Sequence, residues 1–167
     1  MADQAVTLAT ATSATNGKLL TRLSAEQTRE TGFTHRWRIP FDVLNNASWT
    51  TQGDTVTVTL GSTPTKFLVS KAAADIRTAF ATTGTLTLQV GTDGDPDNFI
   101  DAQTAKTAAV IIGASGAVPV TEAGTVGIAS DVLTATFTTQ SATGAPADIT
   151  AGSVDIYLAV IDLTNAN

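Results

Sequence analysis

Thr55-Val56-Thr57-Val58-Thr59-Leu60 alternates polar and apolar residues without a break. Successive side chains of a strand point to opposite faces, so this run lays three Thr on one face and Val56, Val58 and Leu60 on the other. Thr85 to Val90 repeats the scheme with Leu86, Leu88 and Val90, and Val132 to Thr138 does so with Leu133, Ala135 and Phe137. Composition points the same way. Charged residues make up 14% of the 167-residue chain, against about 25% in an average soluble domain. Thr fills 32 positions and, being β-branched, supplies the polar face of a sheet in place of charge.

Working outward, Val154 to Leu163 has two apolar faces: Val154, Ile156, Leu158 and Val160 on one, and Tyr157, Ala159, Ile161 and Leu163 on the other. A strand apolar on both sides is central in its sheet or is covered by another chain. Tyr157, Ile161 and Leu163 are therefore the candidates for self-association. Lys71 to Phe80 fits a helical face through Ala73, Ile76 and Phe80, and a strand face through Ala72, Ala74, Ile76, Thr78 and Phe80; the strand is the favoured reading. Breakers separate the runs at Asn45-Asn46, Gln52-Gly53-Asp54, Gly61 to Pro64, Thr83-Gly84, Gly91 to Asn98, Gly113 to Gly116 and Gly144-Ala145-Pro146. Short strands spaced by such turns, with no alternation of strand and helix, predict an all-β antiparallel sandwich or barrel, of which the sandwich is favoured.

The sandwich is expected to span residues 33–167. None of the nine aromatic residues precedes Phe33, and Ala5 to Thr15 is an Ala/Thr/Ser stretch with only Val6 and Leu8 to bury. So little apolar surface does not offset the entropy of ordering it alone. Residues 1–32 thus read as an extended N-terminal arm, with a short helix after the capping-box spacing of Ser24-Ala25-Glu26-Gln27. Charge divides along the same line. Residues 1–40 hold five basic and three acidic side chains, while residues 41–167 hold four and twelve, and no basic residue follows Lys106. Leu19, Leu20 and Leu23, with Arg22 and Arg29 between and beyond them, are the candidates for contact with a partner. Each Leu could contribute up to about 2 kcal/mol if fully buried.

Several chemistries are excluded or disfavoured. With no Cys there is no disulfide, thiol nucleophile or thiolate metal site. His35, the one imidazole, lies in Thr34-His35-Arg36-Trp37-Arg38, where neighbouring guanidiniums disfavour the protonated form a general base must pass through. No catalytic residue is assigned, no cofactor is expected, and the chain is not read as an enzyme. A net charge of -6 opposes binding to nucleic acid, and Arg36 and Arg38 read better as ion-pairing groups. Apolar runs such as Ala108 to Ile112 fall far short of the roughly 20 residues that cross a bilayer. Met1-Ala2-Asp3-Gln4 lacks a basic region leading into an apolar core, so synthesis in the cytosol is expected. Asp93, Asp95, Asp97 and Asp101 could offer oxygens to Ca²⁺, but Asn98 stands where the turn Gly of an EF-hand loop belongs and Thr104 where its bidentate Glu belongs. They read as a solvated acidic turn without a metal. The Gly-rich stretches at Gly113 to Gly116 and Gly124 to Gly127 lack the Lys of a phosphate-binding loop and read as turns. Asn46-Ala47-Ser48 has glycosylation spacing that means nothing without export.

Ile76 to Ile100 resembles small virion proteins of tailed bacteriophages, in which a strand ending in Thr-Ala-Phe leads through a turn to a strand ending in Val-Gly-Thr and then an acidic loop. Here these are Thr78-Ala79-Phe80, Val90-Gly91-Thr92 and Asp93 to Asn98. The resemblance implies a jelly-roll sandwich, assembled as a trimer, that decorates the outer surface of the major capsid protein shell in the virion. A tail or head fibre that binds a host surface is one alternative. A Ca²⁺-dependent carbohydrate-binding module is another; it needs exposed aromatic platforms, whereas Trp37, Trp49 and Tyr157 sit in apolar or strand contexts.

Overall fold

The alternating runs form strands whose apolar faces meet in one core. The computed structural model describes residues 3–7, 12–13, 17–18, 20–45, 53–62, 67–113, 132–140 and 149–162. In chain order these form β1 (Asp3–Thr7), β2 (Thr12–Ser13), β3 (Gly17–Lys18), β4 (Leu20–Arg22), α1 (Ala25–Thr31), β5 (His35–Pro40), α2 (Phe41–Asn45), β6 (Thr55–Ser62), β7 (Phe67–Ala81), β8 (Thr85–Thr92), β9 (Ile100–Thr104), β10 (Ala109–Ile112), β11 (Val132–Gln140) and β12 (Ala151–Asp162). One sheet runs β1-β6-β11-β8-β9, a second runs β10-β7-β12-β5-β4, and β2 and β3 make a small hairpin. Every pairing is antiparallel except that of β1 with β6, which sets Asp3 opposite Thr55 and Thr7 opposite Thr59.

Val56, Val58 and Leu60 of β6, Leu86, Leu88 and Val90 of β8, and Leu133, Ala135 and Phe137 of β11 are all buried, as period two requires. They meet Trp37, Ile39, Ala72, Ala74, Ile76, Phe80, Val154, Ile156 and Leu158 of the second sheet in a single core. Phe80 and Phe137 pack with centroids 5.7 Å apart, and the Trp37 indole donates to the Leu60 carbonyl from one sheet to the other. Fully burying each Val, Leu, Ile or Phe among them stabilises the fold by about 1.5–3 kcal/mol. The polar face is less simple than the alternation implies. Thr134 and Thr136 are buried as well, because β11 lies between β6 and β8, with Thr136 flanked by Thr57 and Gln89 and Thr134 by Thr59 and Gly91; Thr57 and Thr136 hydroxyls are 3.4 Å apart.

β7 is a strand, the favoured of its two readings, and β12 is central, paired with β5 on one side and β7 on the other. Three register shifts interrupt the β12–β7 ladder, two of them between Ala151 and Val154. At Gly152 the backbone has φ +136°, and a Cβ would sit 2.4 Å from the Phe80 ring. Glycine there lets the strand bend over the ring of Phe80. The strand β1 is the unexpected element. A stretch too poor in apolar residues to fold alone is ordered by main-chain hydrogen bonds to the edge of β6, a partner no local pattern announces.

Candidate functional site

Four regions carry chemistry, and the first lies where β4 meets α1. Ser24 caps α1 in full. Its hydroxyl accepts from the Gln27 amide at 3.2 Å, and the Gln27 side chain accepts from the Ser24 amide at 3.1 Å. Gly32, in the left-handed region at φ 74°, closes the helix. The Leu23 amide donates to the Thr34 carbonyl, and the Thr34 amide to Leu158. These bonds hold α1 beside the β4–β5 edge and leave a groove of about 470 Å³ lined by Arg22, Leu23, Ala25, Thr28, Arg29 and Thr34. Three of the five partner-contact candidates, Arg22, Leu23 and Arg29, thus share one groove. Leu20 lies in β4 with its backbone opposite Trp37, and Leu19 lies outside the described residues. The lining Thr were not singled out by the sequence, which gives no signal for them before α1 is placed.

A second region covers the outer face of the second sheet. Asp155, with no exposed surface, lies directly opposite Arg38 in β5 and Asp75 in β7. Arg38 clamps it in a fork, Nε to Oδ1 at 2.7 Å and Nη2 to Oδ2 at 2.9 Å. Arg77 Nε stands 2.7 Å from Asp155 and 3.4 Å from Asp75, bridging two carboxylates that would otherwise repel across the ladder. Burial alone would raise the Asp155 carboxyl, but the hydrogen bond and charge of Arg38, with Arg77 and Arg36, outweigh it and hold it below the ordinary carboxylate value. Sequence reading took this face of β12 as apolar; Asp155 corrects that, and a lone carboxylate within an apolar strand was the signal for a buried ion pair.

His35 is half-buried, stacked on Trp37 with centroids 5.4 Å apart, and its Nδ1 lies 2.8 Å from the Thr34 hydroxyl. Burial, and then the charge of Arg22, lower its pKa below the ordinary value. Trp37 is 3% exposed, so its face is not available to stack on a base or a sugar.

The third region is the acidic turn. The Asp93 carboxylate accepts from the Val132 amide at 3.1 Å, Thr92 and Asp95 exchange hydrogen bonds, and the chain folds so closely over Gly91 that a Cβ there would lie 2.1 Å from the Asp95 carbonyl. Asp93, Asp95, Asp97 and Asp101 are exposed. Among the described residues no three His, Cys, Asp or Glu side chains are grouped to hold a metal ion.

The fourth region is apolar and exposed. Val110 and Ile112 on edge strand β10 are 67% and 76% exposed and Ile161 is 44% exposed. Of the self-association candidates, Ile161 is thus open, while Tyr157 is half-buried, packed on Phe33 with centroids 5.7 Å apart and accepting from Arg77. Leu163, Trp49, Asn46-Ala47-Ser48 and Gly124 to Gly127 lie outside the described residues. Among those residues no helix is long and apolar enough to cross a membrane. Comparison with protein-family models, with curated proteins and with solved structures finds no match to this chain.

Proposed function

We propose that the chain is a capsid decoration, or cement, protein of a tailed bacteriophage. Its sandwich is a jelly roll that binds the outer surface of the major capsid protein shell, as a trimer, and stabilises the shell by adding contacts across subunit boundaries. The observation that carries this reading is the strand order. Leaving aside β1 and β4, the sheets run β10-β7-β12-β5 and β6-β11-β8-β9. From β5 onward the chain changes sheet at every connection except the β8–β9 hairpin, which supports the double Greek-key path of a jelly roll, a fold recurrent in viral capsid and lectin domains. The resemblance of Ile76 to Ile100 to phage virion proteins, read from the sequence, favours the capsid use. A lectin's aromatic platform has poor support, since Trp37 is buried and Tyr157 is engaged by Phe33 and Arg77.

On this reading residues 1–32 are the attachment arm, the less acidic end of the chain, and the acidic sandwich keeps decorated particles apart in solution. Many weak contacts on one shell add to a firm one. Co-sedimentation with undecorated capsids tests it. The full chain should saturate at a copy number tied to the capsid lattice, and a chain starting at Thr31, which lacks the edge strands β1 and β4 but keeps β5 to β12, should stay folded by circular dichroism yet remain in the supernatant. Saturation at a few copies per particle would favour a tail or fibre component, and no sedimentation of the full chain would overturn the proposal.

A further inference from the structure

We infer that the β4–α1 groove is a recognition site for a short acidic segment of a protein partner, with carboxylates taken by Arg22 and Arg29 and an apolar side chain seated against Leu23 and Ala25. Where that segment comes from rests on the decoration reading; the chemistry of the groove does not. Among the described residues neither Arg22 nor Arg29 forms an ion pair, although Arg38 and Arg77 on the neighbouring face are both engaged. The helix's own carboxylates, Glu26 and Glu30, do not line the groove. Two guanidiniums left open beside an apolar wall match a carboxylate-bearing peptide, because the planar fork of Arg binds carboxylate through paired hydrogen bonds.

The walls are fixed. Both bonds of the capping box, the left-handed Gly32 and the Leu23–Thr34 backbone hydrogen bond set the position of α1 against the edge strand, so little ordering is needed on binding. Thr28 and Thr34 add hydroxyls along the rim. The volume, about 470 Å³, suits a few residues rather than a globular surface. Charge decides between a peptide and a nucleic acid. Residues 41–167 carry four basic and twelve acidic side chains, which would repel a long polyanion reaching beyond the groove, whereas a short acidic segment meets only the two guanidiniums.

The test uses the full chain and a labelled Asp-Glu-Leu-Asp-Glu peptide in fluorescence anisotropy, with an Asn-Gln-Leu-Asn-Gln peptide, inorganic phosphate and a single-stranded oligonucleotide as competitors. The acidic peptide should bind, the neutral one at least tenfold more weakly. The double variant Arg22→Glu, Arg29→Glu should lose binding at least tenfold, and Arg22→Lys, Arg29→Lys should retain part of it. Both side chains are exposed and form no ion pair among the described residues, so circular dichroism should be unchanged in each variant. Equal binding of the neutral peptide, unaltered binding by the charge-reversed variant, or competition by phosphate or oligonucleotide as strong as by the peptide itself would overturn the inference. Capsid co-sedimentation separates it from the proposal it rests on. Full-chain sedimentation that the double reversal leaves undiminished overturns the groove and leaves decoration standing, and charge-dependent peptide binding by a chain that ignores capsids does the reverse. A double reversal that abolishes only self-association would move the groove to a contact between copies and also overturns the inference.

Discussion

Asp155 is the side chain on which the outer face of the second sheet is organised, since its carboxylate neutralises Arg38 and, through Arg77, tolerates Asp75. Removing it leaves two guanidiniums facing a site built for an anion. Asp155→Asn should cost about 3 kcal/mol, the low end for breaking a buried pair, because water reaches Arg38 and Arg77 and relieves part of the loss. Urea denaturation at neutral pH measures it. The pH dependence follows in sign. A carboxyl held below its ordinary 3.8 in the folded state stabilises the protein above that pH, and the contribution is lost as pH falls through and below it. The wild type should therefore show an acid limb beneath about pH 4 that Asp155→Asn flattens. His35 acts at higher pH with the same sign. Its lowered folded-state value makes the chain lose stability as pH falls below about 6.5, the ordinary value for His. The sequence marks Arg38 as an ion-pairing group but not its partner, because Asp155 meets Arg38 across 117 positions and only strand pairing brings them together.

At the scale of elements, what could be read was what period two and local capping encode. β6, β8 and β11 declare themselves because one face of each is buried and the other is Thr. The end of α1 nearest Ser24 declares itself because both halves of the capping box lie within four residues. β7 was ambiguous since Ala and Ile suit both periods, and its pairing with the whole of β12 decides it. β1 carries no signal, as its order comes from β6. α1 buries no residue, so its stability is local. Ser24→Ala should weaken the helix by about 1 kcal/mol while barely moving global unfolding. Hydrogen exchange at the Gln27 and Thr28 amides should quicken, with the core amides of β12 unchanged. If those core amides quicken equally, α1 is part of the cooperative unit.

For the whole molecule, the proposal joins an acidic sandwich to an N-terminal segment, residues 1–32, that holds three basic and three acidic side chains. The exposed apolar residues Val110, Ile112 and Ile161 give the proposed trimer its contact candidates. Ile161→Asp is the cleaner probe, because Tyr157 also holds Phe33 and Arg77 within its own chain. In analytical ultracentrifugation Ile161→Asp should sediment as a folded monomer. Unfolding without a soluble monomer would assign the residue to the core instead. The decoration reading draws on strand order and on one stretch of likeness, and neither names the capsid site. Cryo-EM of purified particles containing the chain tests it most directly. The account predicts jelly-roll density on the outer surface of the shell, repeated with the capsid lattice, with the β4–α1 end toward the major capsid protein; density confined to the tail, or none on the shell, would contradict it.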